Sequence, residues 1–264
     1  MLSQDAHVTL LQVHGETSAA AVPRDFDILE IPVEGVAAYW LAIKKLVGSK
    51  RNFKLLQDEA SYTVEPFIKH LLETICLNGE QLRPLTAAKR DVLLAELKRK
   101  LDLMRIALLD MSSADNPAKT LVRMTAQFAA SPIDEEKAFN LAQELLVFAA
   151  KPEEKARFFN VDHKMRNEQL IVALLFYVLW SRREGKIGCR TFVEFVDSKF
   201  FADGLALVID GFDSPFVRQR LGEHQDAILA ETRLKMDMSI ELAAAIHSRL
   251  QYEQVFQVAK AFMV

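Results

Sequence analysis

Apolar side chains recur at spacings of three and four along most of this chain, the period of helices packed on one face. The clearest run is Leu93, Leu97, Leu101, Met104, Leu108 and Met111, with Lys98, Arg99, Lys100, Asp102 and Arg105 largely off that stripe. Thr86 is expected to cap this helix, and Ser112–Pro117 to close it as a loop. Upstream, helical pattern runs from Val36 to about Val47, where Gly48 can end it. Residues 52–78 read as one or two helices with Pro66 at the break. Downstream, a helix to about Phe128 is expected. Another should be capped by Ser131, with Pro132 at its first position and acids in its first turn, and end near Ala150. Pro152-Glu153-Glu154 opens a short one.

From Asp162 the pattern tightens. A helix from about Lys164 to Glu184 is apolar nearly all round in its second half, which places it in the core. Its uncharged run, Leu170–Trp180, spans about 16 Å at 1.5 Å per residue. A bilayer core needs about 30 Å, so this helix should be buried in protein. Phe200–Ile209 forms the next helix, and Asp213 or Ser214 caps the one after. No Gly or Pro follows Gly222, so the tail is one long helix or two broken near Ser239. Residues 1–35 lack this period. Val8–Val13, Ser18–Ala21, Pro23 and Asp25–Pro32 read as an extended arm with one or two short edge strands.

The expected fold is therefore all-α, a multi-helix bundle with an extended N-terminal arm. Its regions are the arm (1–35), an N-terminal helical region (36–160) and a C-terminal helical region (161–264). Composition agrees: 50% of residues are hydrophobic and 26% charged, with only 9 Gly and 8 Pro to punctuate 264 positions. The net charge of −3, from 33 basic and 36 acidic residues, gives no strongly basic face for nucleic acid. Lys44–Lys45, Lys50–Arg51 and Lys98–Lys100 read as solvated helix faces. The start of the chain lacks the basic and apolar segments of a signal peptide, so a cytoplasmic location is expected. Cys76 and Cys189 form no CxxC and read as two thiols in a reducing compartment, with a disulfide as the alternative.

Catalytic motifs are not found. There is no phosphate loop, GxGxxG, HExxH or GxSxG. No two of the six histidines share a helical i, i+3 or i, i+4 spacing, so no metal or other cofactor is expected. An enzyme would have to assemble distant residues such as His163, Asp210 and Cys189.

An ordered set of residues carries more information. Ser181-Arg182-Arg183-Glu184-Gly185 follows an apolar helix. Phe200-Phe201-Ala202-Asp203-Gly204 leads to Asp210-Gly211-Phe212-Asp213. Phe216-Val217-Arg218-Gln219-Arg220-Leu221 then starts a helix reaching Glu231-Thr232-Arg233. In order and spacing, residues 167–234 resemble the cytoplasmic part of the flagellar stator protein MotA and its MotA/TolQ/ExbB proton-channel relatives. The family's membrane-spanning helices have no counterpart here, so the resemblance implies a stator-like docking surface without ion conduction. It implies a protein partner in the flagellar motor or a related motor or secretion apparatus, with the chain peripheral to a membrane complex. In the family, a basic residue before the glycine and a following glutamate engage the rotor. Arg182 matches the former; Arg190 stands at the latter and reverses its charge.

The candidate docking residues are Arg182, Arg183, Glu184, Arg190, Asp210, Asp213 and Arg218. Their plain reading is helix-end and turn chemistry, with Arg182 and Arg183 complementing the C-terminus of the buried helix and Asp210 and Asp213 capping or making the turn. The alternative is a charged docking patch. Phe192, Phe195, Phe200, Phe201, Phe212 and Phe216 read mostly as core, and any left exposed would add an apolar docking surface. A homo-oligomer stays open as a partner, and the alternative function is a helical adaptor or regulator unrelated to motility. Tyr39–Gly48 also echoes Phe176–Gly185 in its order of aromatic, apolar, basic and glycine residues.

Overall fold

The computed structural model describes residues 26–48, 53–77, 81–149 and 159–263. Among these the fold is all-α, with no strand element. The helices are α1 (Val33–Val47), α2 (Phe53–Tyr62), α3 (Pro66–Leu77), α4 (Leu82–Ser113), α5 (Pro117–Thr125), α6 (Glu135–Ala149), α7 (Asn167–Glu184), α8 (Lys199–Ile209), α9 (Ser214–His247) and α10 (Tyr252–Lys260). A 3-10 helix, Lys186–Phe195, lies between α7 and α8. Contacts group the chain into two compact units, one of residues 1–86 with 238–264 and one of 87–237. The boundaries at 35 and 160 expected from sequence follow chain order, whereas this grouping splits within α4 and within α9.

In the first unit, α1 buries Val36, Ala37, Tyr39, Trp40 and Ile43 on one face. It ends at Gly48, whose φ of 62° lies in the left-handed region that glycine enters without a Cβ penalty. The Lys44 ammonium also donates to the Gly48 carbonyl at 3.0 Å. Tyr39 donates to Glu59 of α2 at 3.2 Å. Glu65 caps α3 by accepting from the Ile68 N–H at 2.6 Å, with Pro66 at the first helical position. Phe67, Ile68, Leu71, Leu72 and Ile75 then bury one stripe. Arg83 and Glu241 pair through two hydrogen bonds of 2.9 and 2.8 Å. The C-terminal helix α10 packs on α1, with the Lys45 ammonium 5.2 Å from the Tyr252 ring.

The second unit is built around α7, which buries eight residues between Leu170 and Val178. It packs against α5, α6 and the 3-10 helix. An aromatic cluster fills the centre. The Phe192 ring lies 4.8 Å from Phe159, 5.3 Å from Phe176, 6.0 Å from Tyr177 and 5.1 Å from Trp180. The buried Tyr177 hydroxyl donates to the Phe159 carbonyl at 2.7 Å. Helix α8 comes close to α4 and α9 at Gly204, where a Cβ would stand 2.4 Å from Leu108 and 2.8 Å from Leu221. Polar rungs link α4 and α9: Arg90 with Asp237, Asp91 with Arg233 at 3.4 Å, and Asp102 with Gln225 at 2.8 Å.

Several local expectations need correction. Thr86 is no cap: α4 starts four residues earlier, with Pro84 in its first turn, and the Thr86 hydroxyl donates to the Leu82 carbonyl at 2.6 Å inside the helix. Asp134, not Ser131, caps α6, accepting from the Lys137 N–H at 3.1 Å. The tail does not break near Ser239, which is buried mid-helix in α9. It breaks at Arg249, a left-handed residue (φ 60°) whose turn returns the Leu250 N–H to the Ala245 carbonyl. Residues 26–32 form a turn with Ile28 buried rather than an extended arm. The expected strands before residue 26, Lys50–Arg51 and the short helix at Pro152 lie outside the described residues.

Candidate protein-docking site

Three helix ends and a 3-10 turn of the second unit carry the candidate residues. Helix α7 ends at Gly185 (φ 77°). The chain turns tightly enough that a Cβ at Gly188 would meet Glu184 at 2.8 Å, and the Trp180 indole N–H donates to the Gly188 carbonyl at 3.1 Å. Lys186 then reaches the Ser112 carbonyl at 2.6 Å, and Arg182 the Asp115 carbonyl at 3.3 Å. Lys186 thus sits where the last carbonyls of α4 concentrate negative partial charge, and Arg182 reaches the loop between α4 and α5. Arg183 pairs with its neighbour Glu184 at 3.0 Å.

The second part of the site lies on the 3-10 helix and the corner between α8 and α9. Arg190 pairs with Asp210 at 3.3 Å. Asp210 ends α8, Gly211 follows at φ 82°, and the Phe212 N–H returns to the Leu207 carbonyl at 3.2 Å. Asp213 caps α9, accepting from the Phe216 N–H at 2.7 Å. Arg218 is exposed near the start of α9. All seven candidate residues are exposed. The structure joins Arg190 to Asp210 and Arg183 to Glu184, gives Asp213 the capping role that the plain reading assigned it, and takes Arg182 to the Asp115 carbonyl in the loop between α4 and α5.

Of the six phenylalanines singled out, Phe192, Phe200 and Phe201 are buried and Phe195 is partly so. Phe212 and Phe216 are not. They are 45% and 39% exposed and stacked on each other, with centroids 4.9 Å apart. Sequence reasoning missed Ile187, which at 72% is the most exposed large apolar side chain among the described residues. Its only signal was position: it follows the glycine turn by two residues, before the buried Cys189.

The residues considered for catalysis are each engaged elsewhere. Burial pushes the Cys189 thiol up to about 12, so at neutral pH it is not a thiolate nucleophile. Asp210 is held at the surface by Arg190. His163 pairs through Nδ1 with Asp162 at 3.0 Å. Among the described residues no group of three or more His, Cys, Asp or Glu side chains could hold a metal, and no helix is long and apolar enough to cross a membrane. A shallow groove of about 410 Å³ between α2 and α3 is lined by Gln57, Ser61, Lys69, Glu73 and Cys76. A thiol reagent at pH 8 is expected to modify half-buried Cys76 while Cys189 reacts only after denaturation. Equal labelling of both in the native protein would contradict the burial of Cys189.

A polar knot sets the start of α7. Lys100 donates to the His163 carbonyl at 2.7 Å, and Asn167 to Glu96 at 2.9 Å. Burial pushes Asp162 up, but the His163 pair and the Lys164 N–H outweigh it and hold its carboxyl below the usual carboxylate range. Its folded pKa is thus depressed. It adds stability above the ordinary carboxylate pKa, and this is lost as pH falls through the folded value, below about pH 4. Urea midpoints measured from pH 6 to pH 3 should fall less steeply for Asp162→Asn than for the parent. Identical slopes would remove Asp162 from the acid response.

Compared with known family models, curated proteins and solved structures, the chain matches none of them.

Proposed function

We propose that this chain works by docking onto other protein chains through the α7–α9 end of its second unit. The observation that carries this reading is the exposed Phe212–Phe216 stack, bordered in sequence by Asp210, Asp213 and Arg218. Aromatic side chains surrounded by polar residues are what interface centres are made of, and exposing them to water without a partner is unfavourable. The charged residues nearby hold helix ends and turns, so the surface is presented in a set shape before a partner arrives.

The partner class follows from the resemblance of residues 167–234 to stator cytoplasmic regions: a subunit of the flagellar motor or a related secretion machine, met by Arg182 and Arg183. Support comes from the packing of the matching segments in one unit. Tyr177 of α7 meets Phe201 of α8 with ring centroids 5.1 Å apart, and Gly204 of α8 lies against Leu221 of α9. The test is affinity capture from motile bacterial cells with the parent chain and an Arg182→Glu, Arg183→Glu variant. Recovery of a motor or secretion subunit by the parent, lost with the variant, is the expected result. If neither recovers such a subunit, this partner class is wrong.

A further inference from the structure

Helix α4 ends in a turn that passes through a left-handed alanine. Ala114 has a φ of 54°, a conformation that strains a residue with a Cβ. Two backbone bonds close the turn: the Asp115 N–H returns to the Asp110 carbonyl at 3.0 Å, and the Ala114 N–H to the Met111 carbonyl at 3.4 Å. This pattern usually takes glycine at its left-handed position. Here a side chain reinforces it instead. Asp110 and Asp115, which the backbone joins once, are joined again through Arg123 of α5. Its guanidinium donates to Asp110 at 2.6 Å and to Asp115 at 2.7 Å, a two-armed reach that suits the planar fork of arginine. Asp110 is the deeper partner. Its side chain is 8% exposed against 27% for Asp115, and its Oδ2 is buried with no hydrogen-bond partner among the described residues. Removing Arg123 would leave this buried carboxylate without its cation, which is strongly unfavourable. Lys119, 4.0 Å from Asp115, adds only a long contact at the outer end.

The same turn holds two cations of the docking end. Lys186 donates to the Ser112 carbonyl at 2.6 Å and Arg182 to the Asp115 carbonyl at 3.3 Å. Resting on the reading that Arg182 meets a partner, we propose that Arg123 is a positioning residue for docking, because it fixes the turn whose carbonyls hold Arg182 and Lys186. Arg123 acts through the turn and not by touching the partner. The contacts run from Arg123 to Asp110 and Asp115, through the backbone at Ala114, to the carbonyls of Ser112 and Asp115, and on to the two cations. When the turn opens, both cations lose these acceptors and spread over their rotamers. A partner must then order them as it binds, and the lost side-chain entropy opposes docking. Residues 110–123 lie outside the 167–234 segment that resembles stator proteins, so this control comes from a different part of the second unit.

The experiment is covalent labelling of the full, native chain, read by peptide mass spectrometry. An N-hydroxysuccinimide ester reports on Lys186 and phenylglyoxal on Arg182, with exposed Lys199 and Arg218 as internal references. Arg123→Ala should raise the rates at Lys186 and Arg182 by about fivefold or more, as when one segment opens while the rest stays folded. The rates at Lys199 and Arg218 should not change. Adding Ala114→Gly should bring the raised rates back toward the parent's, since glycine holds a left-handed φ without the Cβ penalty. If the alanine variant lacks the parent's helical circular dichroism, Arg123→Lys, which offers one ammonium in place of a two-armed fork, takes its place with the same readings. Unchanged rates at Lys186 and Arg182 overturn the proposal, as do raised rates that the glycine leaves as they are. A rise at all four sites overturns it too, because it marks a general loss of structure. In affinity capture from motile cells, Arg123→Ala should lose the motor or secretion subunit that the parent recovers, and full recovery by the variant also overturns the proposal. If the labelling behaves as expected but the parent recovers no such subunit, only the partner class fails. If the parent recovers one and the labelling does not change, only the positioning role fails.

Discussion

Phe192→Ala is expected to cost about 3–5 kcal/mol, the range for truncating a large, fully buried aromatic side chain. Phe192 is buried and its ring contacts those of Phe159, Phe176, Tyr177 and Trp180. Removing it takes away the transfer free energy of the ring, leaves a cavity, and ends four edge or tilted ring contacts at once. The 3-10 helix has the poorer hydrogen-bond geometry of its class, so it depends on this anchor more than an α-helix would. Against a total stability of about 5–15 kcal/mol for an ordinary domain, the loss is large enough to leave the second unit partly unfolded. The two tryptophans lie in different units, Trp40 in the first and Trp180 in the second. In a Trp40→Phe background the remaining indole reports on the second unit alone. Urea unfolding followed by its emission should show the midpoint moving sharply down. A change below about 1 kcal/mol would mean that the cluster closes around the gap or never held the ring tightly.

Gly204→Leu is the second large effect. Glycine inside a helix usually costs about 1 kcal/mol relative to alanine, so replacing it ought to stabilise α8. At this position space decides otherwise. A Cβ alone would stand 2.4 Å from Leu108 Cδ1 and 2.8 Å from Leu221 Cδ2, and the rest of a leucine side chain has nowhere to go between α4 and α9. Overpacking of this kind costs about 1–3 kcal/mol and more when backbone must shift. The clashing atoms are ends of flexible side chains, so Gly204→Ala should be near neutral, with propensity offsetting the repacking. A thermal scan of the two variants separates the terms. Leucine should lower Tm clearly and alanine little, and a leucine variant as stable as the parent would mean that α8 does not sit against α4 and α9.

Much of the local structure was legible because its causes are local. Gly48 and Gly185 end helices where a left-handed residue is needed, Pro66 opens α3, and Asp213 caps α9. Each effect acts within about one turn of chain. The departures arise where that local chemistry is overridden. Thr86 has the chemistry of a cap, but its hydroxyl bonds back to Leu82 inside a helix that starts earlier. Ser239 resembles a break, but it is buried within a continuous helix, and the left-handed turn comes only at Arg249. Of the candidate site, the charged residues were found because helix ends attract charge. Ile187 was not, because an isoleucine two residues past a glycine turn looks the same whether it is covered or bare.

Sequence alone determined the helical class, the strong amphipathic segments and most of their ends, since hydrophobic period and turn chemistry depend on neighbours within about four residues. Only the tertiary structure decided which of several chemically equal side chains face water. Phe192 and Phe212 are the same residue type, yet one is enclosed by α7 and its aromatic neighbours and the other stands at an open corner. That difference comes from segments distant in the chain meeting in space, as does the meeting of Arg190 with Asp210, and neither leaves a mark on the local pattern of either residue.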